Sequence, residues 1–291
     1  FTHPDKVHEI GHKGTYFDVP GYHLCEPSPQ RTPVLYQAGA SGPGKAFAAR
    51  HAECVFVAAP TSAVLASYVA DVRRQAAEAG RDAAKLLIYT LVTVIVDETD
   101  AKAQAKFEEY RRYTSYDGSL VFMSGWTGID FGQYAPTDLV KKVETNAIIS
   151  AIDHLAGGSK SWTIEELAAW GGIGGMGPVF VGSPATVADI LQSWVDETGV
   201  DGFNLAYAVA HETFEDIVAY LVPELQRRGV YRTAYTPGTL REKLFGAGPL
   251  LPPEHPAAAF RDIESVKRAE RDRRPAHATT KVDDLAVTAA R

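Results

Sequence analysis

Cysteine is scarce: the 291-residue chain has two, Cys25 and Cys54. Two isolated cysteines make neither a disulfide framework nor a paired metal motif, which suits a reducing cytoplasm. Long apolar runs are also missing. The longest, Leu86 to Val96, is interrupted by Tyr89, Thr90 and Thr93 and falls well short of the roughly 20 residues that span a bilayer. Nor is there an excess of positive charge. Lys+Arg 29 against Asp+Glu 36 gives a net charge of -7, which excludes a nucleic-acid binder working through a basic surface. What remains, 45% hydrophobic and 22% charged residues, is the composition of a soluble enzyme with length enough for a sizeable core. The chain opens on Phe1 rather than Met, so its first residue reads as a cut edge and a targeting segment is not judged from it.

Residues 1–30 are rich in His, Pro and Gly and read as an excursion. In it Thr15 to Val19 forms a short strand closed by a Pro20-Gly21 turn, one arm of a β-hairpin. From there strand and helix alternate. Val34 to Ala38 is a strand, Gly39 to Gly44 a loop of small residues, and a helix follows to about His51. Cys54 to Ala58 is a strand before a helix from Ser62 to Ala79 that Gly80 stops, and Leu86 to Val96 is a strand buried on both faces. Helical segments are expected over 100–113, 137–155 and 163–170, inside an insertion of about 100–178. Val179 to Val181 is a possible edge strand. Ser183-Pro184 then caps a helix with the stripe Val187, Ile190, Leu191, Trp194 and Val195. Gly202 to Tyr207 is a strand, followed by one helix from Thr213 to Arg228. The body of the fold is thus 31–246, an α/β protein with a parallel sheet and helices outside it. Residues 247–291 form a Pro-rich and charged tail, whose stretch 261–274 interleaves both signs and reads as solvated.

Three motifs point to chemistry. His8-Glu9-Ile10-Gly11-His12 matches the H-E-x-x-H zinc pattern, which needs a helix to put both imidazoles on one face. Lys13-Gly14 and a strand-like run follow at once, and the extended pattern would put its glycine and third histidine on Thr15 and Asp18. A loop beside a hairpin is the plainer reading, with a zinc hydrolase as the alternative. Gly172-Ile173-Gly174-Gly175-Met176-Gly177 is formally G-x-G-x-x-G, but it follows a helix and opens a strand, the reverse of a dinucleotide fingerprint. It reads as a backbone crossing. Gln37 to Gly44 does sit between a strand and a helix, where free N–H groups, a hydroxyl and the helix dipole bind anions. A tight turn made of turn-forming residues explains this segment equally well.

At this loop the sequence becomes recognisable. Ser28-Pro29-Gln30-Arg31-Thr32-Pro33-Val34-Leu35-Tyr36-Gln37-Ala38-Gly39-Ala40-Ser41, preceded by Lys6-Val7-His8 and His12-Lys13-Gly14, resembles the flavin-dependent monooxygenases grouped around nitrilotriacetate monooxygenase component A. Dibenzothiophene sulfone, dimethyl sulfide and long-chain alkane monooxygenases are relatives in the bacterial luciferase-like superfamily. Val181-Gly182-Ser183-Pro184, Asp201-Gly202-Phe203, Val222-Pro223-Glu224-Leu225-Gln226 and Gly238-Thr239-Leu240-Arg241 are similar to the same family's C-terminal signature.

The resemblance implies a (β/α)8 TIM barrel that uses reduced FMN, supplied by a separate flavin reductase, and O2 to place one oxygen atom on a small organic substrate of organosulfur, aminopolycarboxylate or alkane type. It further implies a homo-oligomer. Carried onto this chain, the flavin phosphate is held by Gly39, Ala40, Ser41 and Gly42, with Ser41 as hydroxyl donor. The core strands found, 34–38, 54–58, 86–96 and 202–207, would be the fifth to eighth, the C-terminal half of the barrel, with roughly 200 residues preceding Phe1. The catalytic residues are then unknown from this stretch, and an inert fragment is a further alternative. Gly125 to Tyr134 combines glycines with aromatic rings, suited to a lid over an apolar ligand or, the favoured reading, to Trp126 and Phe131 packing the insertion onto the barrel.

Overall fold

The computed structural model describes residues 3–140 and 162–261 and divides into two units, Thr32–Pro249 and a second made of Phe1–Arg31 with Leu250–Arg291. The smaller unit contains an antiparallel pair, β1 (His12–Lys13) and β2 (Asp18–Val19). The hairpin expected here is present, but its turn is not Pro20-Gly21. The chain reverses over Gly14 to Phe17, where the Gly14 N–H donates to the Phe17 carbonyl at 2.8 Å. Gly21 instead accepts from Ile10 at 2.8 Å, one step further along the ladder.

The larger unit is built on a parallel sheet: β3 (Tyr36–Ala38), β4 (Cys54–Val57), β5 (Leu87–Val96), β6 (Val179–Gly182) and β7 (Gly202–Ala206). Strand β4 lies between β3 and β5. The long β5 then pairs with β7 through Tyr89–Thr93 and with β6 through Thr93–Val96. The segment expected as an edge addition is therefore a fifth strand of the sheet with a single neighbour. Residues in register share a face, so Val55, Val57, Ile88, Val92, Val94 and Val96 form one apolar surface that meets the helices.

Helices α1 (Gly42–His51), α2 (Ser62–Glu78), α3 (Asp100–Arg111), α4 (Tyr116–Thr127), α5 (Ile164–Gly172) and α6 (Pro184–Thr198) follow in chain order. Each opens on a Ser or Thr whose side-chain oxygen accepts a backbone N–H of the first turn, the arrangement that satisfies otherwise orphaned donors. Leu65, Tyr68, Val69, Val72 and Ala76 of α2 pack with Ala48 and Ala49 of α1 over β4 and the first half of β5. The stripe read from sequence on α6 is present: Val187 and Leu191 are buried over the second half of β5, with Ile190 and Trp194 partly so. Within the expected insertion, α4 and α5 have a core of their own, formed by Leu120, Met123, Phe131, Ile164 and Leu167. The helix expected over 137–155 is not seen at its start, where Leu139 bridges Thr163. Its remaining residues, like the charged stretch after 261, lie outside the described residues.

The helix expected as one regular element from Thr213 to Arg228 is three: α7 (Glu212–Asp216), a π turn (Ile217–Leu221) and α8 (Val222–Arg227). Pro223 is the physical reason. It has no N–H, and its ring would collide with the carbonyl of Ala219 in a regular α-helix. The wider turn, in which the Val222 N–H reaches back to Ile217, removes that collision.

A short last helix, α9 (Leu240–Phe245), opens on Thr239 with a reciprocal capping box to Glu242. It delivers Arg241, 1% exposed, against Glu53, 5% exposed. The pair is bidentate, Nε to Oε1 at 2.7 Å and Nη2 to Oε2 at 2.9 Å. The same guanidinium donates to the carbonyls of Thr32 (3.0 Å), Pro33 (2.9 Å) and Pro249 (2.7 Å), while Glu53 Oε2 accepts the Leu35 N–H at 3.0 Å. A lysine ammonium is a point donor and cannot satisfy this planar set. Arg241→Lys is therefore expected to cost about 3 kcal/mol or more, read as a lower urea midpoint, and an unchanged midpoint would show that the pair does not organise this end of the sheet.

Candidate functional site

The Gly39–Gly42 segment lies at the C-terminal end of β3 and runs straight into α1. The loop is shorter than expected, because Gly42 is already the first helical residue and Ser41 is the N-cap. The side-chain oxygen of Ser41 accepts from the Gly44 N–H at 3.2 Å, and its carbonyl accepts from Lys45 at 2.9 Å. The first turn of a helix leaves four N–H groups without intrahelical acceptors, here those of residues 41–44. Pro43 has none to offer and that of Gly44 is taken by the cap. The amides of Ser41 and Gly42 are thus the donors the turn has left over, beside a hydroxyl whose proton the cap does not use.

Space agrees with chemistry. A Cβ placed on Gly42 would meet nothing within 4 Å, so the helix start presents bare backbone, as close approach of an anion requires. Gly39 has φ +138°, a conformation favouring glycine, and its carbonyl is held by the phenol of Tyr68 on α2 at 3.0 Å. One turn into α1, Lys45 is paired with Asp71 of α2. Asp71 also accepts from Gln75 at 3.1 Å and Arg74 at 2.6 Å. The Lys45 hydrogen bond first, then those of Gln75 and Arg74, hold its carboxyl down at about 2.

The other motifs do not assemble into sites. His8 and Glu9 lie on irregular chain and His12 in β1, so no helix brings the two histidines to one face. Among the described residues no group of His, Cys, Asp and Glu is placed to hold a metal ion, and the zinc-hydrolase alternative has no support. Gly172–Gly177 crosses the sheet closely, as expected. A Cβ on Gly177 would lie 2.8 Å from the Leu91 carbonyl oxygen, and one on Gly174 3.1 Å from Thr93 Oγ1. Phe131 is buried in the α4–α5 core. Trp126 is half-buried, its ring tilted against that of the exposed Phe122 at 4.1 Å between centroids, so the two rings are not equivalent: within Gly125 to Tyr134, Thr127, Ile129 and Phe131 are buried and the glycines and Tyr134 are exposed. Cys54 is a buried thiol that burial pushes up to about 11, which makes it a poor nucleophile.

Sequence alone did not reveal Tyr68 and Asp71. Both sit on α2, where Tyr68 falls in the apolar stripe with Leu65, Val69 and Val72 and is read as core. Only the fold shows that its hydroxyl reaches Gly39. Lys106 was missed for a similar reason: it joins Asp97, at the end of β5, to Asp216 at 3.1 and 2.6 Å. Burial would depress it, yet the two carboxylates raise it above the usual lysine range.

Because the folded carboxyl of Asp71 lies below the unfolded value of about 4, its contribution to stability is complete above that value and is lost as pH falls through about 2. Asp71→Asn should lower the urea midpoint at neutral pH, and the gap to the parent chain should close on going from about pH 4 to pH 2. Ser41→Ala removes the cap and should cost about 1 kcal/mol in the same assay.

Residues 7–202 match the family of luciferase-like monooxygenases. The dimethyl-sulfide monooxygenase of Hyphomicrobium sulfonivorans is 45% identical over 94% of this chain and 58% of its own length. The long-chain alkane monooxygenase of Geobacillus thermodenitrificans is 43% identical over 91% of this chain and 57% of its own. The chain thus spans just over half the length of these relatives. The crystal structure of a riboflavin lyase with modified FMN and its substrate riboflavin superposes with a TM-score of 0.78 at 32% identity, covering 89% of this chain and 57% of that one. A parallel sheet backed by capped helices, a strand-to-helix turn with free amides and these likenesses agree: the chain belongs to the luciferase-like monooxygenase family.

Proposed function

We propose that this chain serves an FMN-dependent monooxygenase in which the Gly39–Gly42 turn holds the flavin phosphate. The observation that carries this is the helix start itself: two leftover amides, those of Ser41 and Gly42, the Ser41 hydroxyl, and open space over Gly42, in a family whose solved relative holds modified FMN. The donor set suits a phosphate monoester, which accepts several short hydrogen bonds and is favoured by the positive end of α1. Strands β3, β4, β5 and β7 take the places of the fifth to eighth strands of a (β/α)8 barrel, and the turn after β3 then lies at the C-terminal rim, where barrel enzymes bind their ligands. A separate flavin reductase provides the reduced cofactor, and the working form is a homo-oligomer in the cytoplasm. The two free thiols, Cys25 and Cys54, suit that compartment.

Reduced FMN, when bound, supplies the electrons with which O2 is divided between substrate and water. The chain's own part is to bind and orient. The amides of Ser41 and Gly42 fix the phosphate, the Ser41 hydroxyl donates a further hydrogen bond to it, and Gly39 supplies the turn that leads the chain from β3 into them. The substrate is a small organic molecule of the organosulfur, aminopolycarboxylate or alkane type, classes that include the dimethyl sulfide and long-chain alkane of the named relatives.

Gly42→Asp tests this. A carboxylate at the first helical position favours the helix, so the variant folds, yet it occupies the open space and repels the phosphate. FMN affinity of the full chain, followed by flavin fluorescence, should fall about tenfold or more. Unchanged affinity removes the phosphate from this turn.

A further inference from the structure

The geometry points to Tyr68 as a positioning residue that sets the phosphate selectivity of the Gly39–Gly42 turn, an inference that rests on the flavin-phosphate reading above. A backbone carbonyl is the one group in such a turn that repels an anion. At Gly39 that carbonyl lies one peptide before that of the Ser41 amide, and the freedom of glycine at φ +138° lets the peptide rotate toward or away from a ligand. Its direction is therefore set from outside the turn. Tyr68 does this: its phenol donates to Gly39 O at 3.0 Å from a side chain that is 4% exposed and packed among Leu65, Val69 and Val72. Burial makes the arrangement stiff, since the hydroxyl would otherwise lose its solvent partner without gaining another.

The neighbouring turn of α2 adds a second tether. Asp71, three residues on, holds the Lys45 ammonium on α1. Tyr68 and Asp71 thus grip α1 and the turn before it from one helix face. Tyr68 never touches the phosphate. It keeps the repelling oxygen directed toward α2 while the amides of Ser41 and Gly42 stay available.

The expected consequence is selective. Tyr68→Phe keeps the ring and its packing but frees the Gly39 carbonyl, so the preference of the full chain for FMN over riboflavin, which lacks the phosphate, should fall about fivefold with riboflavin affinity unchanged. Val72→Ala, a cavity in the same helix face, should lower the melting temperature by more than Tyr68→Phe without moving the FMN-to-riboflavin ratio. Both ligands are titrated by fluorescence against the parent, Tyr68→Phe, Val72→Ala and Gly42→Asp. If Gly42→Asp abolishes the preference and Tyr68→Phe leaves it intact, the role of Tyr68 is overturned and the phosphate turn stands. If Val72→Ala shifts the ratio as much as Tyr68→Phe, the effect is packing of α2 and the positioning role is again overturned. If Gly42→Asp leaves the preference intact, the phosphate is elsewhere and both inferences fall together.

Discussion

A guanidinium and a carboxylate withdrawn from water hold this sheet in place. Burying either charge of Arg241 and Glu53 alone would cost several kcal/mol. Together, with three carbonyls and one amide completing their hydrogen bonds, they are satisfied. The partners are drawn from residues 32–35, the start of β4, α9 and Pro249. That matters most for β3, which is three residues long with one neighbour. A strand so short has little ladder of its own, and its entry is fixed instead by the ion pair at the residues before it. The turn that leaves its other end inherits that placement.

The electrostatics of the turn follow a similar economy. Lys45, the cation of α1 nearest to it, is committed to Asp71, and Arg50 stands in the last turn of the helix. In the proposed phosphate site, attraction for the anion rests on the amides, one hydroxyl and the helix dipole, groups whose strength depends on orientation rather than on net charge. Orientation comes from α2, whose buried side supplies both the core and Tyr68 and which adds Asp71 three residues on.

The alternation of strand and helix was legible in the sequence because its signals are local. Ser and Thr caps, terminal glycines and the apolar stripe of α6 each state an element within a few residues. The strand-to-helix turn at Gly39–Gly42 was legible too, as small residues between a strand and a helix, although the chain gave no sign that Gly42 would be helical. What was not legible depends on distance along the chain. Arg241 lies in the recognisable stretch Gly238 to Arg241, yet nothing local says that its partner is Glu53. Tyr68 reads as one more apolar stripe residue because pattern records the ring and not where its hydroxyl points. The wide turn in the helix after β7 was hidden for the opposite reason: Pro223 is a visible breaker, but a helix has more than one way to accommodate it.

That wide turn shapes what lies downstream. A π turn holds one residue more than an α-helix of the same axial length, and each residue carries about 100° of rotation. The rest of the helix, Val222–Arg227, is thus swung to a new azimuth. Arg228 reaches α6 from the end of that run, donating to Asp189 at 2.6 Å and the Ala185 carbonyl at 3.1 Å, while Glu224 steadies it from one turn back at 2.6 Å. Helical phase, as much as residue identity, decides which side chain fastens this helix to its neighbour, so a single-residue deletion within Ile217–Leu221 would reset the phase and turn Arg228 away from α6.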